Sequence, residues 1–181
     1  SQVALTGDVT STAGRGTVTT EQFDASNTQT GKTVIDSMDD SVSGGIILGE
    51  TTAGAVTLKT EGGNISLGDN SILDGTTVSA ESADLNKTVY SNDGGSWNTI
   101  ASTEKLGTIE GSVTLGENTT VKGNSTLTAD DNIALGNNSV ITGNTAADGV
   151  ISAGGHITIG DGTQVFHNSA TSDGKAGINQ A

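Results

Sequence analysis

Ile133-Ala134-Leu135-Gly136-Asn137-Asn138-Ser139-Val140-Ile141-Thr142-Gly143-Asn144-Thr145 is written four times along the chain in slightly different letters, and that repetition decides the fold. Aligned without gaps, the other copies are Ile65 to Thr77, Val113 to Ser125 and Ile157 to Ser169. The first column reads Ile65, Val113, Ile133, Ile157; two residues on come Leu67, Leu115, Leu135 and Ile159, each followed by glycine. A hydroxyl recurs as Ser71, Thr119, Ser139 and Thr163, and an apolar residue as Leu73, Val121, Ile141 and Val165. An asparagine recurs as Asn124, Asn144 and Asn168, with Thr76 in the first copy.

Successive copies start 48, 20 and 24 residues apart, and the longest interval reads as two units with a degenerate member between. Units of this length are too short for paired-helix repeats and suit one coil of a β-solenoid. Leucine-rich repeats share the period, but their dense leucine scaffold is absent. Ile133 and Leu135 flank Ala134, so the two apolar side chains share one face of a short strand. Gly136-Asn137-Asn138 turns the chain, since Gly and Asn tolerate the positive φ of a corner. Ile141 belongs to a second strand, and Gly143-Asn144 makes a second corner. A third segment closes the loop with Val78, Leu127, or Val150 and Ile151. The expected fold is all-β, a right-handed parallel β-helix of about 20–24 residues per coil and at most about eight rungs. Each rung satisfies its backbone groups only through its neighbours.

Composition is consistent with this. Only 31% of the 181 residues are hydrophobic and 2% aromatic, too little for an ordinary globular core. Low apolar content with a net charge of −14 also marks disordered chains, but here Ile, Leu and Val sit in register. Twenty-one acidic against seven basic residues repel phosphate backbones, so no nucleic acid is expected as a partner. The chain has no Cys and no Pro: the first is compatible with export through an oxidising compartment, the second with continuous hydrogen-bonded ladders. No apolar run is long enough to span a bilayer, so this segment is not expected to insert into a membrane, and Ser1-Gln2-Val3 opens no signal peptide.

Along the chain, residues 1–45 read as irregular N-terminal coils or a cap, with Val3, Leu5, Val18, Val34 and Ile35 as strand fragments. Gly31-Lys32-Thr33 ends like a phosphate-binding loop, but Ser26 stands where its leading glycine belongs, so it reads as a turn. Residues 46–181 read as β-helix repeats. The first is a divergent unit starting 19 residues before Ile65, with Gly54 in its second apolar column. Periodicity lapses over 79–112, an irregular loop-bearing insertion in which Ser82 to Lys87 reads as a helical turn and Asn92-Asp93-Gly94-Gly95 as a tight turn. Tyr90 and Trp97 lie in this insertion and are the candidate ligand contacts, since loops grown from one rung present binding surfaces. The competing reading makes Trp97 a cover over an imperfect rung. Gly174 to Ile178 reads as the opening of a further rung.

Catalytic and metal sites are not expected. Asp69, Glu117 and Asp161 share a column with Asn137, but Asp and Asn favour corners on their own account. Arg15 is the sole arginine. His156 and His167 fall in different columns with no Cys beside them, which supports neither a zinc site nor a Ser/His/Asp triad. No cofactor is expected. Asn64, Asn86, Asn118, Asn124 and Asn137 each begin an N-x-Ser/Thr triplet, a pattern that a chain this rich in Asn, Ser and Thr produces by composition.

Ile141 to Ala146 followed by Gly154-Gly155-His156-Ile157 resembles the passenger repeats of bacterial autotransporters and polymorphic outer-membrane proteins, which share the pectin-lyase-like β-helix. Val165 to Ala170 followed by Gly174 to Ile178 repeats the theme, with Lys175 breaking the double glycine. The resemblance covers residues 44–178. It implies a non-enzymatic structural and adhesive passenger segment, secreted or displayed at the bacterial outer membrane. A host surface protein or glycan would be its partner, and a translocator barrel would lie C-terminal to it. No functional residue carries over, because the matching positions are structural. Ala4 to Thr10 is similar to a segment of phage tail-fibre proteins, making a tail-fibre or tailspike piece the alternative, beside a carbohydrate-binding or carbohydrate-cleaving β-helix.

Overall fold

Side chains alternate along an extended chain, so in the three-residue strand Ile133–Leu135 the two aliphatic ends face one way, and both are buried. The same geometry recurs throughout a computed structural model that describes residues 2–12, 15–38, 45–93, 96–146, 149–170 and 178–180. Among these residues the chain is all-β, with no helix. A first round of strands comprises β1 (Gln2–Leu5) and β2 (Val9–Thr12), followed by β3 (Arg15–Phe23) and β4 (Gln29–Met38). The second round is β5 (Ile46–Leu48), β6 (Glu50–Ala53) and β7 (Thr57–Glu61); the third is β8 (Ile65–Leu67), β9 (Ile72–Asp74) and β10 (Thr77–Glu81). Then come β11 (Ala83–Asp93) and β12 (Ser96–Ile109). The fourth round is β13 (Val113–Leu115), β14 (Thr120–Lys122) and β15 (Thr126–Ala129). The fifth is β16 (Ile133–Leu135), β17 (Val140–Thr142), β18 (Thr145–Ala146) and β19 (Ile151–Ala153). The sixth is β20 (Ile157–Ile159), β21 (Gln164–Phe166), β22 (Ser169–Ala170) and β23 (Ile178–Gln180).

The chain visits three parallel sheets in rotation. Sheet I runs β5-β8-β13-β16-β20, sheet II β1-β6-β9-β14-β17-β21 and sheet III β2-β7-β10-β15-β19-β23, with β18 and β22 forming a short parallel pair. Register stacks Ile46, Ile65, Val113, Ile133 and Ile157, and beside them Leu48, Leu67, Leu115, Leu135 and Ile159. Sheet II aligns Leu5, Ala53, Leu73, Val121, Ile141 and Val165. Sheet III aligns Val9, Leu58, Val78, Leu127, Ile151 and Ile178. The middle members of all four columns belong to one buried core, each stabilising the fold by about 1.5–3 kcal/mol relative to exposure. The column is open at its far end, where Ile159 is 37% and Val165 40% exposed.

Several expectations are corrected. Ile65 pairs directly with Val113, so the 48-residue interval is one round carrying an excursion. That excursion is the antiparallel hairpin β11–β12, and Ser82 to Lys87 contains no helical turn. Among the described residues the sheets therefore hold at most six strands, about 24 Å of stack at ~4.8 Å per strand. Gly31-Lys32-Thr33 lies inside β4 rather than in a turn. Ala53, not Gly54, faces Leu73, because the corner after Leu48 is one residue shorter than the others. In the Val113 copy, Gly123 and Asn124 both adopt positive φ and absorb an extra residue, so Ser125 rather than Asn124 joins the buried column. Ile178 pairs with Ile151 in sheet III, so it closes the sixth round and does not open another; residues 174–177 lie outside the described ones.

The glycine after each first strand has a different role from the one expected. Positive φ at that corner falls two residues later, on Asn70, Asn118, Asn138 and Gly162. Gly136 is needed because a Cβ there would lie 2.5 Å from the Glu117 amide nitrogen and 2.6 Å from the Gly116 carbonyl carbon, backbone atoms that cannot yield. Gly136→Ala is therefore expected to lower the unfolding free energy by about 1–3 kcal/mol. Asn138→Gly, which keeps its backbone conformation available, is expected to change it by less than about 1 kcal/mol. Urea denaturation followed by circular dichroism checks both.

Candidate functional site

Where the parallel columns lapse, the chain builds a second kind of sheet. Strands β3, β4, β11 and β12 form a four-stranded antiparallel sheet in the order β12-β11-β4-β3. Thr, Val, Ile and Tyr in these strands favour extended backbone, but among the side chains described both faces are mixed and neither is buried as the parallel columns are. Phe23, Ile100 and Leu106 stand 50% or more exposed on it.

Tyr90 lies half-buried in β11, between Lys32 of β4 and Ile100 of β12 in register. The Lys32 ammonium sits 4.8 Å from the Tyr90 ring centroid, a cation–π contact. Trp97 lies in β12 next to the chain reversal between Asp93 and Ser96, so both candidate contact residues are carried by one hairpin; the Trp97 side chain lies outside the described residues. Phe23, Ile100 and Leu106 escaped the sequence reading because no periodic column contains them. Charge also separates: these four strands hold four basic and five acidic residues, which leaves three basic and 16 acidic for everything else.

At two positions the acidic column does structural work. Asp69 Oδ1 accepts the Glu117 amide at 2.8 Å, and Asn137 Oδ1 accepts the Asp161 amide at 2.8 Å, so carboxylate and carboxamide do the same work. Among the described residues no group of three or more His, Cys, Asp or Glu is placed to hold a metal ion. His156 is exposed and its amide donates to Asn132 Oδ1. His167 is exposed with φ of 58°, at the corner position that Gly75 and Gly143 occupy in other rounds. Arg15 begins β3. Of the Asn-x-Ser/Thr residues, Asn64 and Asn124 accept the amides of Ser112 and Thr145, Asn118 holds a left-handed corner, and Asn86 lies in β11. Lys59 bridges Glu81 at 3.4 Å and Glu61 at 3.5 Å on the outer face of sheet III. Glu81, then Glu61, holds its ammonium pKa above the usual lysine value, so what the pair contributes is complete at neutral pH and fades as pH rises through that raised value.

No helix among the described residues is long and apolar enough to cross a membrane. No protein-family model, curated protein or solved structure matches the chain. Asp69→Asn is expected to leave the melting temperature unchanged, whereas Asp69→Ala, which strips the acceptor from the Glu117 amide, lowers stability by about 0.5–1.5 kcal/mol. Thermal unfolding of the two variants checks the structural role.

Proposed function

We propose that this chain is a non-enzymatic structural and adhesive segment of a secreted or surface-displayed bacterial protein. Its rounds are the coils of a right-handed parallel β-helix, and its antiparallel sheet presents the surface that meets a host protein or glycan. The observation that carries this reading is the division of labour between the two kinds of sheet. The parallel stack commits polar corner groups to neighbouring rounds and, before its last round, exposes only Ile47 and Ile72 among its described large hydrophobic side chains, while the antiparallel sheet leaves Phe23, Ile100 and Leu106 exposed.

Charge supports the same division. Among the described residues the stack and its corners hold 11 acidic residues against two lysines, a negative surface that keeps a rod soluble and holds acidic surfaces at a distance. The antiparallel sheet is close to neutral and is the part that can approach a neutral or acidic surface, with Tyr90 offering a ring of the kind that stacks on a sugar. The resemblance to autotransporter passengers supports this reading, on which a translocator barrel would lie C-terminal to the segment. No cofactor enters it.

A glycan array and host-cell adhesion assay test the proposal. The chain is expected to bind a defined surface, and Tyr90→Ala and Trp97→Ala to weaken that binding by about tenfold or more, with the circular dichroism melt unchanged in Trp97→Ala. Release of reducing ends from a polysaccharide would favour the carbohydrate-cleaving alternative. A stable trimer by light scattering would favour the tail-fibre one.

A further inference from the structure

The two hairpins leave the stack at the same corner. Strand β3 follows the sheet III strand of the first round, and β4 leads into the sheet I strand of the second. Strand β11 follows the sheet III strand of the third round, and β12 leads into the sheet I strand of the fourth. The antiparallel order β3-β4-β11-β12 is therefore the order of rounds one to four. Strand spacing is ~4.8 Å in either kind of sheet, so the excursions pair at the pitch of the stack itself.

The seam between the hairpins is closely fitted. Gly31 to Ile35 of β4 pair with Ser91 to Lys87 of β11. A Cβ on Gly31 would lie 2.8 Å from the Tyr90 carbonyl oxygen, so glycine permits the approach. Asp36 Oδ2 accepts the Asn86 amide at 3.0 Å, and Lys32 lies over the Tyr90 ring. These contacts join residues 50 to 60 positions apart in sequence.

We infer that the antiparallel sheet is a staple that makes rounds one to four open as a single unit and leaves the far end of the stack to open first. In a linear stack each round touches only its neighbours, so end rounds fray independently. The first round gives described strands to sheets II and III only, and Leu5 and Val9 are only partly buried; unaided, it would be the weakest end. The hairpins give each of the first four rounds an additional paired strand. Among the described residues, rounds five and six have none beyond the two-residue β18–β22 pair. This inference concerns opening of the fold and does not depend on whether the sheet also meets a ligand.

Hydrogen exchange by mass spectrometry on the full chain tests it. In the native protein, amides of β1, β2 and β5–β7 are expected to exchange at a rate close to those of β13–β15, and β20 and β21 at least ten times faster. Gly31→Val, which forces the seam apart, is expected to speed exchange in β1, β2 and β5–β7 at least tenfold while leaving β16 and β17 unchanged. A second variant, Val34→Cys with Thr88→Cys, places two thiols at paired positions across the seam in a chain without other cysteines. Oxidation is expected to slow exchange in β1 and β2 relative to the reduced form. Seam amides that speed up in Gly31→Val while β1, β2 and β5–β7 keep their native rates would overturn the inference. If Gly31→Val does not fold, the cysteine pair decides alone: identical rates in β1 and β2 for its oxidised and reduced forms would also overturn it.

Discussion

The fold depends on one constraint: a buried corner must find partners for its backbone and hydroxyl groups in the neighbouring round. Thr51, Ser71, Thr119 and Ser139 form a fully buried column behind the first corner. Each hydroxyl donates to a glycine carbonyl of its own round, Gly49, Gly68, Gly116 and Gly136. The oxygens of Ser71, Ser139 and Thr163 accept the amides of Thr51, Thr119 and Ser139 in the preceding round. At the second corner, Ser125, Asn144 and Asn168 accept the amides of Thr76, Ser125 and Asn144 in the same way. Among the described residues no buried side-chain polar atom lacks a partner. Each such bond contributes about 1 kcal/mol net, and leaving its buried partner unmatched costs about 1–3 kcal/mol, so the corners specify register as firmly as the aliphatic columns do.

That constraint also accounts for the composition. A stack three short strands around has a narrow interior, filled by one or two aliphatic side chains per strand, so a chain with 31% hydrophobic residues suffices. Aromatic rings are too large for the column and appear outside it, on the antiparallel sheet and at the open end, where Phe166 lies against His167. At the outer corners Asp8, Asp69, Asp130 and Asp131 accept amides of a neighbouring round. Part of the negative charge is thus a by-product of corner chemistry.

The register of the four copies was legible because the interior demands the same residue type at the same height. Ile65, Val113, Ile133 and Ile157 align in the sequence and in space. The slips at Ala53 and Ser125 were not legible, because a Gly-Asn corner takes one residue more or fewer without altering the strands it joins. The antiparallel sheet was hidden for a different reason. Its strands have no buried face to impose alternation, and the pairing of Gly31–Ile35 with Lys87–Ser91 joins distant segments that share no repeat. Tyr90 and Trp97 were singled out by rarity and by lying where the pattern fails, and the structure places both on one hairpin.

Disulfide trapping across sheet I tests the central claim, that each interval between copies is a single round. Ser66 and Thr114 are register partners on adjacent strands, Thr114 and Ala134 are the next pair, and the chain contains no cysteine of its own. With cysteines at 66 and 114, mild oxidation is expected to close an intramolecular disulfide, since neighbouring strands hold Cα atoms ~5 Å apart. With cysteines at 66 and 134, roughly 10 Å apart, it is expected to fail. Efficient closure of the 66–134 pair, or none of the 66–114 pair, would contradict the stacking of these columns.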